Sequence, residues 1–377
     1  MALALLLLGA IQLVRLREWD VVDTRFLAIL ALIPGSYVLN MLIHGFSGPL
    51  LDRPARMLGG FFLFYLMRRV AVPGLLVFDA CAVAAGSAGL VAAYEVLGEE
   101  ALRADATWNA VPFGNYALLL TAITACGLFA PAVRGDTVRR AFAYPLSILL
   151  GLAACLLSGT RGSLLALPAL IVLTACAAPR LRTVHVAASL VALVMTGMLV
   201  VIAMPRMQQR LTDGLDDVRS VMRSPEVNQG NESSLAIRLR MWRWGLQRFA
   251  EHPVVGIGVV NYAGFRAKAV AEGVLSSEFL GLANVHNELI HALAVGGVLM
   301  GMPLIAFWVF ATLFFLHRLR GPPDAWARPV GAAGLCIVIG TAVFSMSGGL
   351  FGTNPDATAF VILLSVFGGL AARYGDG

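Results

Sequence analysis

An arginine wedged between two apolar runs is the first group in this sequence with chemistry to offer. Arg161 stands in Ser158-Gly159-Thr160-Arg161-Gly162-Ser163, with almost no room for a loop on either side. Its guanidinium can present a bidentate donor fork to a phosphate, or it can snorkel to lipid headgroups. Gly159 and Gly162 let a ligand or a neighbouring backbone come close. A second group of arginines, Arg238, Arg240, Arg243 and Arg248, shares a short helical segment with Trp242. Such a cluster suits an anionic headgroup, or simply water.

The third feature is Asn284-Val285-His286-Asn287-Glu288, immediately before a long apolar run. A histidine at a membrane boundary can stay neutral near pH 7 and accept a proton. Asn287 could hold an imidazole ring or a sugar hydroxyl, or cap the following helix. Glu288 lies close enough to hydrocarbon to need a partner or water. His291 is five residues after His286, so the two do not make the i, i+4 pair of a helical zinc site. Asn354-Pro355-Asp356 opens the last apolar run, where Asp356 is a candidate orienting group or a helix cap. Glu99, Glu100 and Asp105 form an acidic loop more suited to solvent than to a divalent ion. No metal site and no cofactor are expected. A Walker loop, a serine elbow and a strand-linked GxGxxG are all missing from the sequence, which removes the soluble ATPase and hydrolase readings.

The elements that must hold these groups are membrane helices. Of 377 residues, 59% are hydrophobic and 13% charged, and mean hydropathy is +0.80. Soluble domains run about 45–50% apolar and about 25% charged. A water-soluble enzyme is thus excluded, and with it a nucleic-acid reading of the +6 net charge. Apolar runs that are candidate spans fall at 1–14 and 55–67, both short, and at 26–44, 73–97, 113–130, 139–158, 161–178, 184–204, 286–316, 329–349 and 355–373. That predicts an all-α polytopic protein of eleven or twelve spans. It divides into an N-terminal bundle (1–204), a large loop (205–285) and C-terminal helices (286–377). The five cysteines all lie within apolar runs and are expected as buried small hydrophobes. Gly297 and Gly301 form a small-xxx-small pair suited to close helix contact. Asp79 is the ionisable group inside a span, with no evident partner.

Sorting the arginines gives sidedness. Fourteen fall in one set of alternate short loops and four in the other. The positive-inside rule places the first set, and the C-terminus, in the cytoplasm. The 81-residue loop 205–285 then lies outside. Within it, Met207, Leu211, Leu215, Val218 and Met222 form one amphipathic stripe. Leu235, Leu239, Trp242, Leu246 and Phe249 form a second, ended by Pro253.

With these elements in place, the stretch from Ser234 to Gly301 resembles the signature region of the O-antigen ligase and polymerase superfamily. The matching features are Arg238-x-x-x-Trp242, Pro253-Val254-Val255-Gly256-Ile257-Gly258, and His286-Asn287 leading to Leu293 and Gly296-Gly297. Thr160-Arg161-Gly162 resembles the family's earlier arginine motif. The resemblance implies a fold like type C glycosyltransferases and, in the ligase branch, a metal-independent inverting transfer. It implies a glycan on undecaprenyl pyrophosphate as donor and a lipid A core hydroxyl as acceptor. The setting is the periplasmic face of a Gram-negative inner membrane. Arg161 and Arg238 match the residues implied to grip the pyrophosphate, and His286 the implied base. Trp242, Asn287, Arg240, Arg243 and Asp356 complete the expected substrate contacts. The polymerase and protein O-oligosaccharyltransferases use the same donor. A transporter or flippase is the non-enzymatic alternative, and it would require paired ionisable groups at mid-membrane and internal repeats.

Overall fold

The computed structural model describes residues 21–70, 72–106, 109–131, 136, 138–178, 234–319, 326–351 and 354–374. The expected spans 1–14 and 184–204 and the first amphipathic stripe, 207–222, lie outside the described residues. Within them the chain is helical, without strands. In chain order the helices are α1 (Val21–His44), α2 (Asp52–Arg69), α3 (Gly74–Ala93), α4 (Ala110–Gly127), α5 (Tyr144–Leu157) and α6 (Arg161–Cys176). There follow α7 (Ser234–Glu251), α8 (Tyr262–Ala271), α9 (Glu288–Arg318), α10 (Ala327–Ser345) and α11 (Asn354–Tyr374).

Among the described residues seven helical stretches are long and apolar enough to cross a membrane, and the protein is a multi-pass membrane protein. They are α1, α3 continued to Gly98, α4, α5 from Arg139, α9, α10 and α11 from Pro355. The apolar part of α6, Gly162–Cys176, is shorter. The expected span at 55–67 forms α2, but Asp52, Arg56, Arg68 and Arg69 make that helix too polar for the apolar group. It packs against α1 and α11 instead. Gly60 and Gly369 let the backbones close up: a Cβ on Gly369 would fall 2.5 Å from the Phe64 carbonyl.

At one end of the bundle arginine side chains tie the loops. Arg68 pairs with Asp23 across α2 and α1 at 2.8 Å. Arg373 donates to the Val70 and Val72 carbonyls. Arg139 and Arg140 both pair with Asp136. Asp79, expected without a partner, is in fact held by Arg139 at 2.8 Å and by the Tyr144 hydroxyl at 2.8 Å. Both partners lie more than 50 residues away, beyond the reach of any local pattern. Four cysteines are buried as expected; Cys176, at the end of α6, is exposed.

The break in α9 organises the other half of the molecule. Gly297 has φ 57° and ψ −149° inside that helix, a region essentially confined to glycine. Backbone groups freed there cannot stay unpaired in hydrocarbon. Residues 253–258 pair with them: Val298 N–H donates to the Pro253 carbonyl at 2.8 Å and Leu299 N–H to Val254 at 3.1 Å. In return Ile257 and Gly258 donate to Ala294 and Val295 at 3.0 and 2.8 Å. The approach is too close for side chains. A Cβ on Gly297 would sit 2.5 Å from the Pro253 carbonyl oxygen, and one on Gly256 2.3 Å from Gly296 N. Gly297 is therefore a backbone seam rather than the helix-packing residue its spacing suggested, and a Cβ on Gly301 would meet Leu293 of its own helix. Asn40 of α1 clamps the seam, donating to the Val255 and Val295 carbonyls and accepting from Val259 N–H. Asn40 is fully buried.

Replacing Gly297 by Ala is expected to cost about 3 kcal/mol or more, from strain and overlap together. Asn40→Ala removes the acceptor of the Val259 N–H and should cost about 1–2 kcal/mol. Gly264→Ala in α8, with nothing within 4 Å of the new methyl, should be neutral or stabilising by less than about 1 kcal/mol. Thermal unfolding in detergent, followed by tryptophan fluorescence, ranks the three.

Candidate functional site

At the end of the bundle opposite the paired arginines, a cavity of about 140 Å³ opens among α4, α7, α10, α11 and the segment before α9. Arg238, His286 and Asp356 line it together, with Asn115, Tyr116 and Asn284. Groups as far apart in the sequence as Asn115 and Asp356 thus converge because they stand at the same ends of antiparallel helices.

His286 is placed by its backbone. Its φ of 53° lies in the left-handed region, which a non-glycine residue adopts only when its surroundings hold it there. Asn284 does so, accepting the His286 N–H on Oδ1 at 2.8 Å. Asn284 is itself buried and sits where a Cβ on Gly349 would be, 2.0 Å from its Nδ2. On the other side Asn287 caps α9, accepting from Ile290 N–H at 3.0 Å, and donates to the Met346 carbonyl at 3.2 Å. Glu288 is buried and accepts from Phe351 N–H at 3.2 Å. Its need for a partner is met by the α10–α11 connection.

The scaffold behind this turn is aromatic. Trp244 of α7 makes edge contacts with Tyr262 and Phe279, at 5.9 and 5.6 Å, and Tyr262 meets the His291 ring at 4.8 Å. Gly245 packs α7 against Val285 and Ile290. The buried face of α7 is Ala236, Met241, Trp244 and Gly245. Leu235 and Leu246 of the expected stripe are 39% and 46% exposed. The helix has apolar residues on two faces, and glycine decides which one packs.

Arg238 is half-buried on α7, and burial lowers its pKa from the ordinary arginine value. The His286 pKa is lowered first by burial and then by the positive charge of Arg238. Both act against the imidazolium, so the ring is neutral in the neutral pH range and able to take a proton.

Arg161 is the first residue of α6; its side chain lies outside the described parts. The backbone around it abuts the cavity wall. A Cβ on Gly162 would meet Ser347 Oγ at 2.7 Å, and Ser163 donates to Asn115 Oδ1 at 2.6 Å. Ser347 and Asn115 both line the cavity. The turn before α6 is rigid: Gly159 has φ 64°, and Thr160 donates to the Ala110 carbonyl at 2.8 Å.

Of the other expected contacts, Asp356 lines the cavity, and its backbone carbonyl accepts from the Tyr116 hydroxyl at 2.6 Å. Trp242, Asn287, Arg240 and Arg243 are not lining residues. Trp242 packs partly buried against the core, Asn287 serves as the cap described above, Arg240 is half-buried and Arg243 exposed. Sequence reasoning missed Asn115, Tyr116 and Asn284. Asn284 had a readable signal, an Asx residue two positions before the histidine. Among the described residues no three His, Cys, Asp or Glu side chains form a group that could hold a metal ion. Asp105 and Ala106 of the acidic loop give their N–H groups to the buried Glu95.

Residues 146–305 match the family model described as O-antigen ligase. That stretch contains Arg161, Arg238, Trp242, His286 and Asn287; Asp356 lies beyond it. A protein of Haemophilus influenzae (strain ATCC 51907 / DSM 11121 / KW20 / Rd), described as uncharacterized, is 22% identical over 289 residues. The alignment covers 76% of this chain and 71% of the relative. The family match supports a glycosyltransferase-like function of the general O-antigen ligase or polymerase type.

Arg238→Gln removes the positive charge that disfavours the imidazolium, so the His286 pKa should rise toward the ordinary histidine value. Titration of ¹³C-labelled histidines in nanodiscs by NMR, with His286→Ala for assignment, measures this. An unmoved His286 resonance would show that Arg238 does not act on it.

Proposed function

We propose that this protein is a membrane glycosyltransferase of the ligase type. It moves a glycan from undecaprenyl pyrophosphate to a sugar hydroxyl of the lipid A core, at the periplasmic face of a Gram-negative inner membrane. The observation that carries the reading is the shared cavity of a neutral-poised His286 and a half-buried Arg238. The family match over 146–305 supports it. The ion pairs of Arg68, Arg139 and Arg140 at the opposite end of the bundle fit a cytoplasmic face there, while Arg56 pairs with Asp52 at the start of α2.

The mechanism follows from charge. As the anomeric carbon–oxygen bond breaks, its electron pair goes to the pyrophosphate, which gathers negative charge. The guanidinium groups of Arg238 and Arg161 stabilise that charge most in the transition state. On the other side of the anomeric carbon, the acceptor oxygen forms the new bond and its proton passes to a ring nitrogen of His286. Backside attack inverts the anomeric configuration. Undecaprenyl pyrophosphate leaves, and the imidazolium returns its proton to solvent or product. Half-burial of Arg238 strengthens its action, because a charge in low dielectric acts with less screening. The donor bond supplies the driving force, so no nucleotide is needed. A cavity of about 140 Å³ has room for the reacting groups and leaves the glycan outside. Asn284, through the left-handed turn, keeps the base at the rim of this cavity.

The pairing of Asp79 with Arg139 and Tyr144 weighs against a transporter, since this ionisable group inside a span is already engaged.

Transfer from purified lipid-linked glycan to purified core lipid tests the reading. His286→Ala should lower turnover by about 10²–10⁴-fold, and Arg238→Ala or Arg161→Ala by about 10²–10³-fold. A chelator should leave wild-type turnover unchanged. Full activity of His286→Ala overturns the base assignment. Extension of lipid-linked chains without transfer to core lipid would make the protein a polymerase instead.

A further inference from the structure

A second and larger cavity lies at the other end of the bundle. It is a groove of about 570 Å³ between α1 and α9. Ala28, Ile29 and Leu32 form one wall, and Phe310, Leu313 and Phe314 the other. Its mouth is basic, formed by Arg25, His317 and Arg318. Arg25 and His317 are exposed. Arg318 is buried, with its guanidinium 5.5 Å from the centre of the Phe314 ring. The acidic side chain nearest in sequence to Arg25, Asp23, is engaged by Arg68 at 2.8 Å.

Length and polarity identify an occupant. From Val22 to Leu32 the groove follows ten residues of α1, about 15 Å of helix rise. That is half of a roughly 30 Å hydrocarbon core, the depth of a single leaflet. One end is apolar and walled by aromatic and aliphatic side chains, and the other end carries positive charge where the bundle's arginines gather. A soluble anion would gain nothing from the walls, and a neutral lipid nothing from the mouth. We propose that this groove binds one anionic phospholipid of the leaflet at the arginine-rich end, with its acyl chain between α1 and α9 and its phosphate at Arg25 and His317. The site is separate from the His286 cavity and does not depend on the transferase reading.

The test uses the full chain purified in detergent, with thermal unfolding and native mass spectrometry as readouts. Phosphatidylglycerol should raise the unfolding temperature by several degrees and appear as one retained lipid. Phosphatidylcholine with the same chains, and glycerol phosphate without chains, should do neither. Ala28→Trp, at an exposed position inside the groove, should abolish both effects while unfolding at the wild-type temperature in lipid-free detergent. Arg25→Gln with His317→Gln should reduce retention of phosphatidylglycerol to the level of phosphatidylcholine. Equal stabilisation by phosphatidylcholine, or by glycerol phosphate, overturns the proposal. So does a phosphatidylglycerol effect that survives Ala28→Trp. If Ala28→Trp unfolds early, Leu313→Trp on the facing wall decides between the same outcomes.

Discussion

The half of the molecule that carries the candidate site depends on one backbone repair. A helix broken in hydrocarbon leaves N–H and C=O groups that water cannot reach, and each costs several kcal/mol if unpaired. Here the turn 253–258 supplies those partners to α9 on both sides of Gly297. Glycine is required on each side because the two backbones touch. The repair joins the end of α7 to the middle of α9, and Asn40 joins both to α1. With α7 held there, Arg238 comes to the same cavity as His286, which opens the way into α9.

The same economy of means governs the site itself. His286 sits between two asparagines with different tasks. Asn284 fixes the left-handed turn, and Asn287 starts the helix and ties it to Met346 at the end of α10. Asn115 does likewise for the start of α6 through Ser163. Short polar side chains bonded to backbone or to each other set the positions, and the charged groups are left to meet the ligand. Burial and the charge of Arg238 both disfavour the imidazolium of His286, so the base is held neutral beside the arginine.

The helices were largely legible, because a membrane span needs only length and hydropathy to announce itself. Arg238, His286 and Asp356 were legible too, as charged or titratable groups at the ends of apolar runs. What failed was local pattern where three-dimensional partners decide. Gly297 and Gly301 have the spacing of a helix-packing pair, yet Gly297 is a break, and only the glycines of 253–258 reveal why. The apolar stripe of α7 did not reveal which face packs: Leu235 and Leu246 are exposed, and Gly245 brings another face against Val285 and Ile290. Asp79 looked isolated because Arg139 and Tyr144 lie on a different helix. Asn284 and Asn287 are both within two residues of His286, and spacing alone favoured the one that points to α10 rather than the one that shapes the cavity.

The clamp at Asn40 has a bearing on how the chain is made. Its amide bonds the carbonyls of Val255 and Val295, 215 and 255 positions later in the chain. Synthesis runs from the N-terminus at about 5–20 residues per second. On that scale α1 waits on the order of ten seconds or more with an asparagine near its end and none of its final partners yet translated. Its position near the helix terminus, four residues before His44, lets headgroups or water serve the amide meanwhile. The N-terminal helices can therefore insert early, while the site stays unassembled until α9 emerges and takes Asn40 from the membrane surface.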